Sequence, residues 1–294
     1  MWIDELGRHV ERLQGCEDRV FVAMLGGGAG TLASLGELGL ATQERMAAYL
    51  DMRPMPLPAR TIGDHQAEYV LLLGMLAATS SKIGREIYTL MKQEFGEVEE
   101  PVPPGTVGSS TMPQKRNPKL SQDIMAAAAQ IRALAPLALE AMQTEHEADR
   151  TTSIMMSRAI VQACELTGDM LQRLMALFDG LQVFPDRMRE NLDLSGGLIM
   201  AEALMLELGK QIGRQRAHDA VYEAAQGSVT EGRPFREMLA LDPHVSAGLT
   251  PSQMEELLDP ARYAGLCREF AERGAALGRA IAATIGRRPA RRVT

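Results

Sequence analysis

Between residues 64 and 95, Tyr69, Leu72, Leu73, Leu76, Ile83, Ile87, Leu90 and Met91 recur at the spacing of one helical face. Leu166, Met170, Leu174, Leu177 and Leu181 repeat the pattern in steps of three and four. Residues 2–24, 118–146, 196–226 and 260 to about 285 also read as helices, and no stretch alternates convincingly with period two. Long helices joined by short breaks predict an all-α fold built on a central long-helix bundle. Breaks fall near Pro185 and Gly227, after which Pro234, Pro243, Pro251 and Pro260 punctuate shorter helices. The expected organisation is a bundle domain over residues 1–194 and a small helical C-terminal domain over 195–294. Long helices with several apolar faces need partner helices, which predicts an oligomer.

Composition supports helices over sheets: Met is abundant at 19 residues, while aromatic residues make up only 4%. A net charge of −7 gives no electrostatic reason to expect nucleic acid or an anionic membrane as partner. Arg287, Arg288, Arg291 and Arg292 read as a solvated tail. No apolar run reaches membrane-spanning length and the first ten residues do not resemble a signal peptide, so a cytoplasmic protein is expected. Cys16, Cys164 and Cys267 form neither a metal-ligand pattern nor a disulfide framework and are expected to be largely buried thiols. Neither metal nor cofactor is expected. The segment Trp2–Met24 reads as the middle of a helix with no residue capping it, which suggests a chain truncated at its start.

Residues 101–108, PVPPGTVG, concentrate Pro and Gly and read as an exposed loop, and residues 101–116 are expected to be mobile without ligand and to order when one binds. SSTMPQKRNP follows, and a helix resumes with Pro118 at its first position and Asn117 as its cap. By themselves these residues leave two readings open: a polar turn, or a loop carrying catalytic groups on a rigid scaffold.

The stretch GSSTMPQKRNP resembles the signature loop of the fumarase/aspartase superfamily of lyases, and Gly108, Ser109, Ser110, Pro113, Lys115 and Asn117 all fit its pattern. Gln122 stands where that pattern has an acidic residue. The resemblance continues through GGGAGTLASLG (26–36) and EFGEVEEP (94–101), which are similar to segments of adenylosuccinate lyases and 3-carboxy-cis,cis-muconate cycloisomerases. Residues 186–214 and 257–265 look most like the cycloisomerases. GGGAG alone could suggest a nucleotide-binding loop, but no strand precedes it, and close backbone packing beside a substrate pocket is the better reading.

The resemblance implies abstraction of a proton next to a carboxylate, followed by expulsion of a group from the neighbouring carbon. The aci-carboxylate dianion formed on the way needs fixed positive charge and hydrogen-bond donors. By resemblance, Ser109 is the base and Lys115 the second catalytic residue, which with Asn117 binds the charged carboxylate. Ser110, Thr111, Met112 and Ser153 complete the substrate-binding set. The resemblance also implies a homotetramer whose active sites combine segments of three subunits, and a general-acid histidine upstream of the first residue here. Activity is then expected to need that missing segment. His9, His65, His218 and His244 read as surface residues; His146, in EHEADR, is the histidine nearest family active-site sequence.

Ala148, Ser153 and Ser157 stand where adenylosuccinate lyases hold a phosphate with Arg, Ser and Arg, which argues against a nucleotide substrate. Arg150 and Arg158 lie one turn away from those positions. The cycloisomerases usually carry His at the position of Gln114 and a Trp-containing segment in place of residues 152–158. The expected activity is that of a cycloisomerase-like lyase acting on a small polycarboxylate. The alternatives are an adenylosuccinate lyase, another fumarate-releasing lyase, or an inactive helical scaffold.

Overall fold

A computed structural model of the chain describes residues 1–102, 112 and 115–285. Among these residues there are twelve α-helices, and strand is limited to four two-residue segments. The all-α expectation holds. Two compact units divide the chain: one comprises residues 1–92, 98–182 and those from Glu272 onward, the other residues 93–97 and 183–271. The longer segment of the second unit begins at Val183, in the break read near Pro185.

The first unit is built on four long helices: α1 (Trp2–Val20), α3 (Asp64–Leu90), α4 (Lys119–Glu140) and α5 (Arg150–Gly180). Between α1 and α3 lies a shorter α2 (Gly39–Tyr49), flanked by β1 (Val22–Ala23) and β2 (Arg53–Pro54). The buried side of α3 carries Val70, Leu73, Leu76, Ala77, Ile83 and Ile87, a three-and-four progression that faces α4 and α5. On α4, Ile124, Ala127, Ala128 and Ile131 answer it, and on α5 Met156, Ala159, Ala163, Met170, Leu174 and Leu177. Small residues let these helices approach closely. A Cβ added at Gly84 of α3 would lie 3.3 Å from both the Ile124 side chain and the Ser121 carbonyl of α4. Each fully buried Ile or Leu in this seam contributes about 1.5–3 kcal/mol by leaving water.

Helix α4 starts one residue later than its sequence suggests. Its N-cap is Pro118, which has no side chain able to cap. The carboxylate of Glu100, just after β3 (Val98–Glu99), takes over that role. Helix α5 is capped locally: Asp149 Oδ1 accepts from the Thr151 amide at 2.8 Å.

The second unit gathers α7 (Ala201–Ile212), α8 (Arg214–Glu231), α9 (Phe235–Leu241) and α10 (Pro243–Gly248) around Leu204, Leu208, Val221, Phe235, Leu239 and Val245. The single helix expected over 196–226 is broken at Gly213, whose φ of 89° and ψ of 146° are essentially open only to glycine. Asp242 caps α10 through the amides of His244 and Val245, and Thr250 forms a reciprocal capping box with Gln253 at the start of α11 (Pro251–Leu257). Helix α6 (Pro185–Asp193) holds residues 93–97. Arg187 donates to the carbonyls of Glu94 and Phe95, and Asn191 donates to the Phe95 carbonyl and the Glu97 carboxylate.

Cysteine burial differs from the sequence reading. Cys16 is buried, but Cys164 on α5 and Cys267, the first residue of α12 (Cys267–Ile285), are exposed. Apolar neighbours in the sequence had suggested burial, but exposed apolar residues such as Val161 and Phe270 lie one turn from these cysteines.

Candidate functional site

The described part of the signature loop is short. Ser109, Ser110 and Thr111, with Gln114, lie outside the described residues, as does most of the segment expected to be mobile. Met112 and Lys115 are exposed, and the Lys115 amide donates to the Met112 carbonyl at 3.0 Å. Asn117 is half-buried, and its carbonyl accepts from the Lys119 amide at 2.9 Å. Arg116, between them, pairs with Glu99 at 3.3 Å.

Ser153 belongs to a different place, a cavity of about 560 Å³ between the start of α3 and the N-terminal half of α5. Neither Lys115 nor Asn117 lines it, so the described residues do not bring the two parts of the predicted substrate-binding set together. Its lining combines apolar side chains, among them Met24, Met55, Met156 and Val161, with the polar Arg60, His65, Gln66, Ser153 and Ser157. No Asp or Glu is among the lining residues.

Local sequence explains this lining. Val22 and Ala23 pair in parallel with Arg53 and Pro54, and the Met55 amide donates to the Ala23 carbonyl at 2.9 Å, placing Met24 and Met55 side by side. Glycines set the backbone behind Arg60. A Cβ on Gly26 would stand 2.3 Å from the Pro58 carbonyl oxygen, and one on Gly30 (φ 79°) 2.8 Å from it. The GGGAG motif is thus a close backbone contact next to the cavity wall. On α5, Ser153 and Ser157 are four residues apart and share a face. The Ser153 hydroxyl donates to the Asp149 carbonyl at 2.8 Å, which leaves its oxygen as an acceptor.

Two histidines read as surface residues are placed otherwise. His9 is only 7% exposed; its Nε2 meets Thr79 Oγ1 at 3.0 Å, and Thr79 donates on to Glu5 at 3.3 Å. Burial holds the His9 imidazole below its ordinary pKa, with the Arg12 charge adding to the effect. His65 lines the cavity, and its Nδ1 is buried with no hydrogen-bond partner. Asp64 Oδ1, at 3.8 Å, is beyond hydrogen-bonding range. Burial lowers the His65 pKa as well, with Asp64 opposing. His146 is exposed in a left-handed conformation (φ 54°) and does not line the cavity.

A second groove, lined by Arg150 and Arg158, shares Ser153, Ser157 and Val161 with the cavity. It too has no acidic lining residue. Arg60 lines the cavity and Arg150 and Arg158 line the groove, Ser153 and Ser157 line both, and no carboxylate is among the described lining residues, a composition suited to a polyanion. Among the described residues no cluster of three or more His, Cys, Asp or Glu could hold a metal ion, and no helix is long and apolar enough to cross a membrane.

A bundle of long helices with a Ser-Ser…Lys…Asn loop leading into one of them defines the fumarase/aspartase class of lyases. The comparisons agree. Residues 1–133 match the family described as lyase, and residues 197–274 the family described as adenylosuccinate lyase C-terminus. The chain is similar to trans-aconitate decarboxylase 1 of Mycosarcoma maydis, with 40% identity over 266 residues that cover 90% of this chain and 54% of the relative. It is also similar to an N-acetyl-S-(2-succino)cysteine lyase of Enterococcus italicus, with 36% identity covering 92% of this chain and 59% of the relative. Among solved structures, it superposes on the 3-carboxy-cis,cis-muconate lactonizing enzyme from Pseudomonas putida with a TM-score of 0.87 at 36% identity, covering 95% of this chain and 62% of that one. The chain belongs to the fumarase/aspartase superfamily of lyases. It spans less than two thirds of the length of each of these proteins.

Proposed function

We propose that the chain contributes the signature loop and an anion-binding wall to a lyase that acts on a small polycarboxylate, in the manner of a 3-carboxy-cis,cis-muconate cycloisomerase. In this reading Ser109 takes the proton next to a carboxylate, and the electron pair passes onto that carboxylate to form the dianion. Lys115 and Asn117 hold the dianion, with Ser110, Thr111 and Met112 shaping the site. The pair then returns to form the double bond as the leaving group departs, protonated by a general acid that this chain's loop does not contain. A serine serves as base only where its alkoxide is stabilised, and the Lys115 ammonium is the available charge. Ser153 contributes from the cavity, as an acceptor while its proton is held by Asp149. No cofactor takes part.

The observation that supports this reading most is the cavity and groove along α5, bordered by Arg60, Arg150 and Arg158 and free of lining carboxylates. The substrates named for the relatives and for the structural neighbour, trans-aconitate, a succinylated cysteine and carboxymuconate, are all polycarboxylates. We further propose a cytoplasmic homotetramer. Ile154, Val161, Met175 and Phe178 of α5 are 45–73% exposed, an apolar surface of the kind that partner helices cover.

Equilibrium dialysis against tricarballylate and AMP tests the substrate class. Tricarballylate is expected to bind more tightly, and Arg60→Gln to weaken it about tenfold, the value of one charge-assisted contact. Tighter binding of AMP would instead favour the second reading, an adenylosuccinate lyase, with Arg150 and Arg158 as the phosphate-binding pair.

A further inference from the structure

We propose that Glu99 and Glu100 act as a bracket that positions the Lys115–Asn117 stretch, with Glu100 the principal positioning residue; the functional part of this proposal rests on the lyase reading above. Glu100 is 3% exposed, so its carboxylate is placed for a purpose that must compensate for lost hydration. Its Oε1 accepts from the Leu120 amide at 2.8 Å, and its Oε2 accepts from the Ser121 amide at 3.1 Å and the Ser121 hydroxyl at 3.0 Å. Leu120 and Ser121 are the second and third residues of α4, whose amides have no partner within the helix. The first, Lys119, donates to the Asn117 carbonyl, and Gln122 begins the regular ladder by donating to Pro118. Every free amide of this helix start is thereby satisfied.

The source of the cap carries the inference. A Ser or Asp at position 118 could cap α4 locally, as Asp149 and Asp242 cap α5 and α10. Pro118 cannot, and the cap comes from a residue twenty positions earlier in the chain. A remote cap stabilises the helix no better than a local one, but it also ties residue 100 to residues 120–121. Its neighbour Glu99 grips Arg116 at 3.3 Å, so two consecutive carboxylates hold the chain at two points. Lys115 and Asn117 flank the first of these and precede the second. Ser121, fully buried with its carbonyl facing Gly84, gives the second point a rigid backing. The bracket thus fixes the backbone from which Lys115 and Asn117 reach a bound carboxylate, without touching that carboxylate itself.

The test separates capping from positioning. Five proteins are compared: wild type, Glu100→Gln, Glu100→Ala, Lys115→Ala, and Glu100→Ala combined with Pro118→Ser, which offers α4 a local cap. The readouts are thermal stability, amide exchange of residues 115–121, and affinity for tricarballylate. Glu100→Ala should lower stability, speed exchange at Leu120 and Ser121, and weaken tricarballylate binding about tenfold, with Glu100→Gln intermediate because an amide oxygen replaces only part of the acceptor set. The double variant should regain stability but not affinity. Recovery of both by the local cap would reduce Glu100 to a structural cap and overturn the proposal, as would Glu100→Ala binding like wild type. If Lys115→Ala also binds like wild type, the lyase reading fails and the positioning role with it, while the exchange result still reports whether the clamp on α4 exists.

Discussion

Replacing Gly26 with alanine probes how the cavity wall is made. The new Cβ would lie 2.3 Å from the Pro58 carbonyl oxygen, 3.0 Å from the Gly30 Cα and 3.2 Å from the Pro58 carbonyl carbon, all backbone atoms. Ordinary contact begins near 3.4 Å, so the two segments must part by about 1 Å, and overpacking of this kind costs about 1–3 kcal/mol. Pro58 is followed by Ala59 and Arg60, which line the cavity, so the strain moves a guanidinium assigned to the ligand. Gly28→Ala is the matched control, since a Cβ there meets nothing within 4 Å and its φ is not positive. Urea unfolding of both variants, with tricarballylate affinity alongside, should show Gly26→Ala destabilised by about 1–3 kcal/mol and binding more weakly, and Gly28→Ala close to wild type. Equal stability and equal affinity in the two variants would refute the assignment of the GGGAG segment as a close-packed support.

Three further outcomes follow from the geometry. Phe235 is fully buried in the core of the second unit, so Phe235→Ala should cost about 3–5 kcal/mol in denaturant unfolding. His9 and His65 are both held below the ordinary value of 6.5 by burial, so the unfolded chain binds protons there more readily than the folded one. Their contribution is intact above that value and is lost as pH falls through the lowered pKa values; the urea midpoint should drop on acidification, and less so in the His9→Gln, His65→Gln variant. Light scattering at micromolar concentration should report a tetramer, and a charge placed at the exposed Met175 should shift it toward smaller species.

Much of the helical framework was legible because long amphipathic helices repeat one physical signal. The buried series Leu73, Leu76, Ile83 and Ile87 sits where the spacing placed it. The break at Gly213 was not legible, because a single glycine inside a helical pattern is tolerated as often as it terminates one. Nor was the start of α4: Asn117 and Pro118 form a plausible cap pair, and only the folded chain brings Glu100 to those amides. His9 and His65 sit among charged neighbours in the sequence, which disguises burial that depends on the packing of other elements. Arg60 could not be singled out either, since its position depends on a glycine contact more than twenty residues away. The loop motif was a different case. Its residues left two readings open until their resemblance to the superfamily's signature loop was weighed, and the comparisons bear the family out.

The central claim is that a serine-dependent lyase acts on a small polycarboxylate. The most direct measurement is turnover of carboxymuconate, adenylosuccinate and trans-aconitate by the chain joined to the N-terminal portion of a related lyase, in wild type, Ser109→Ala and Lys115→Ala forms. The account predicts turnover of at least one of these polycarboxylates, with a loss of about a hundredfold or more in each variant. Turnover that survives Ser109→Ala unchanged, or a complete absence of turnover in a folded wild-type protein, would contradict it.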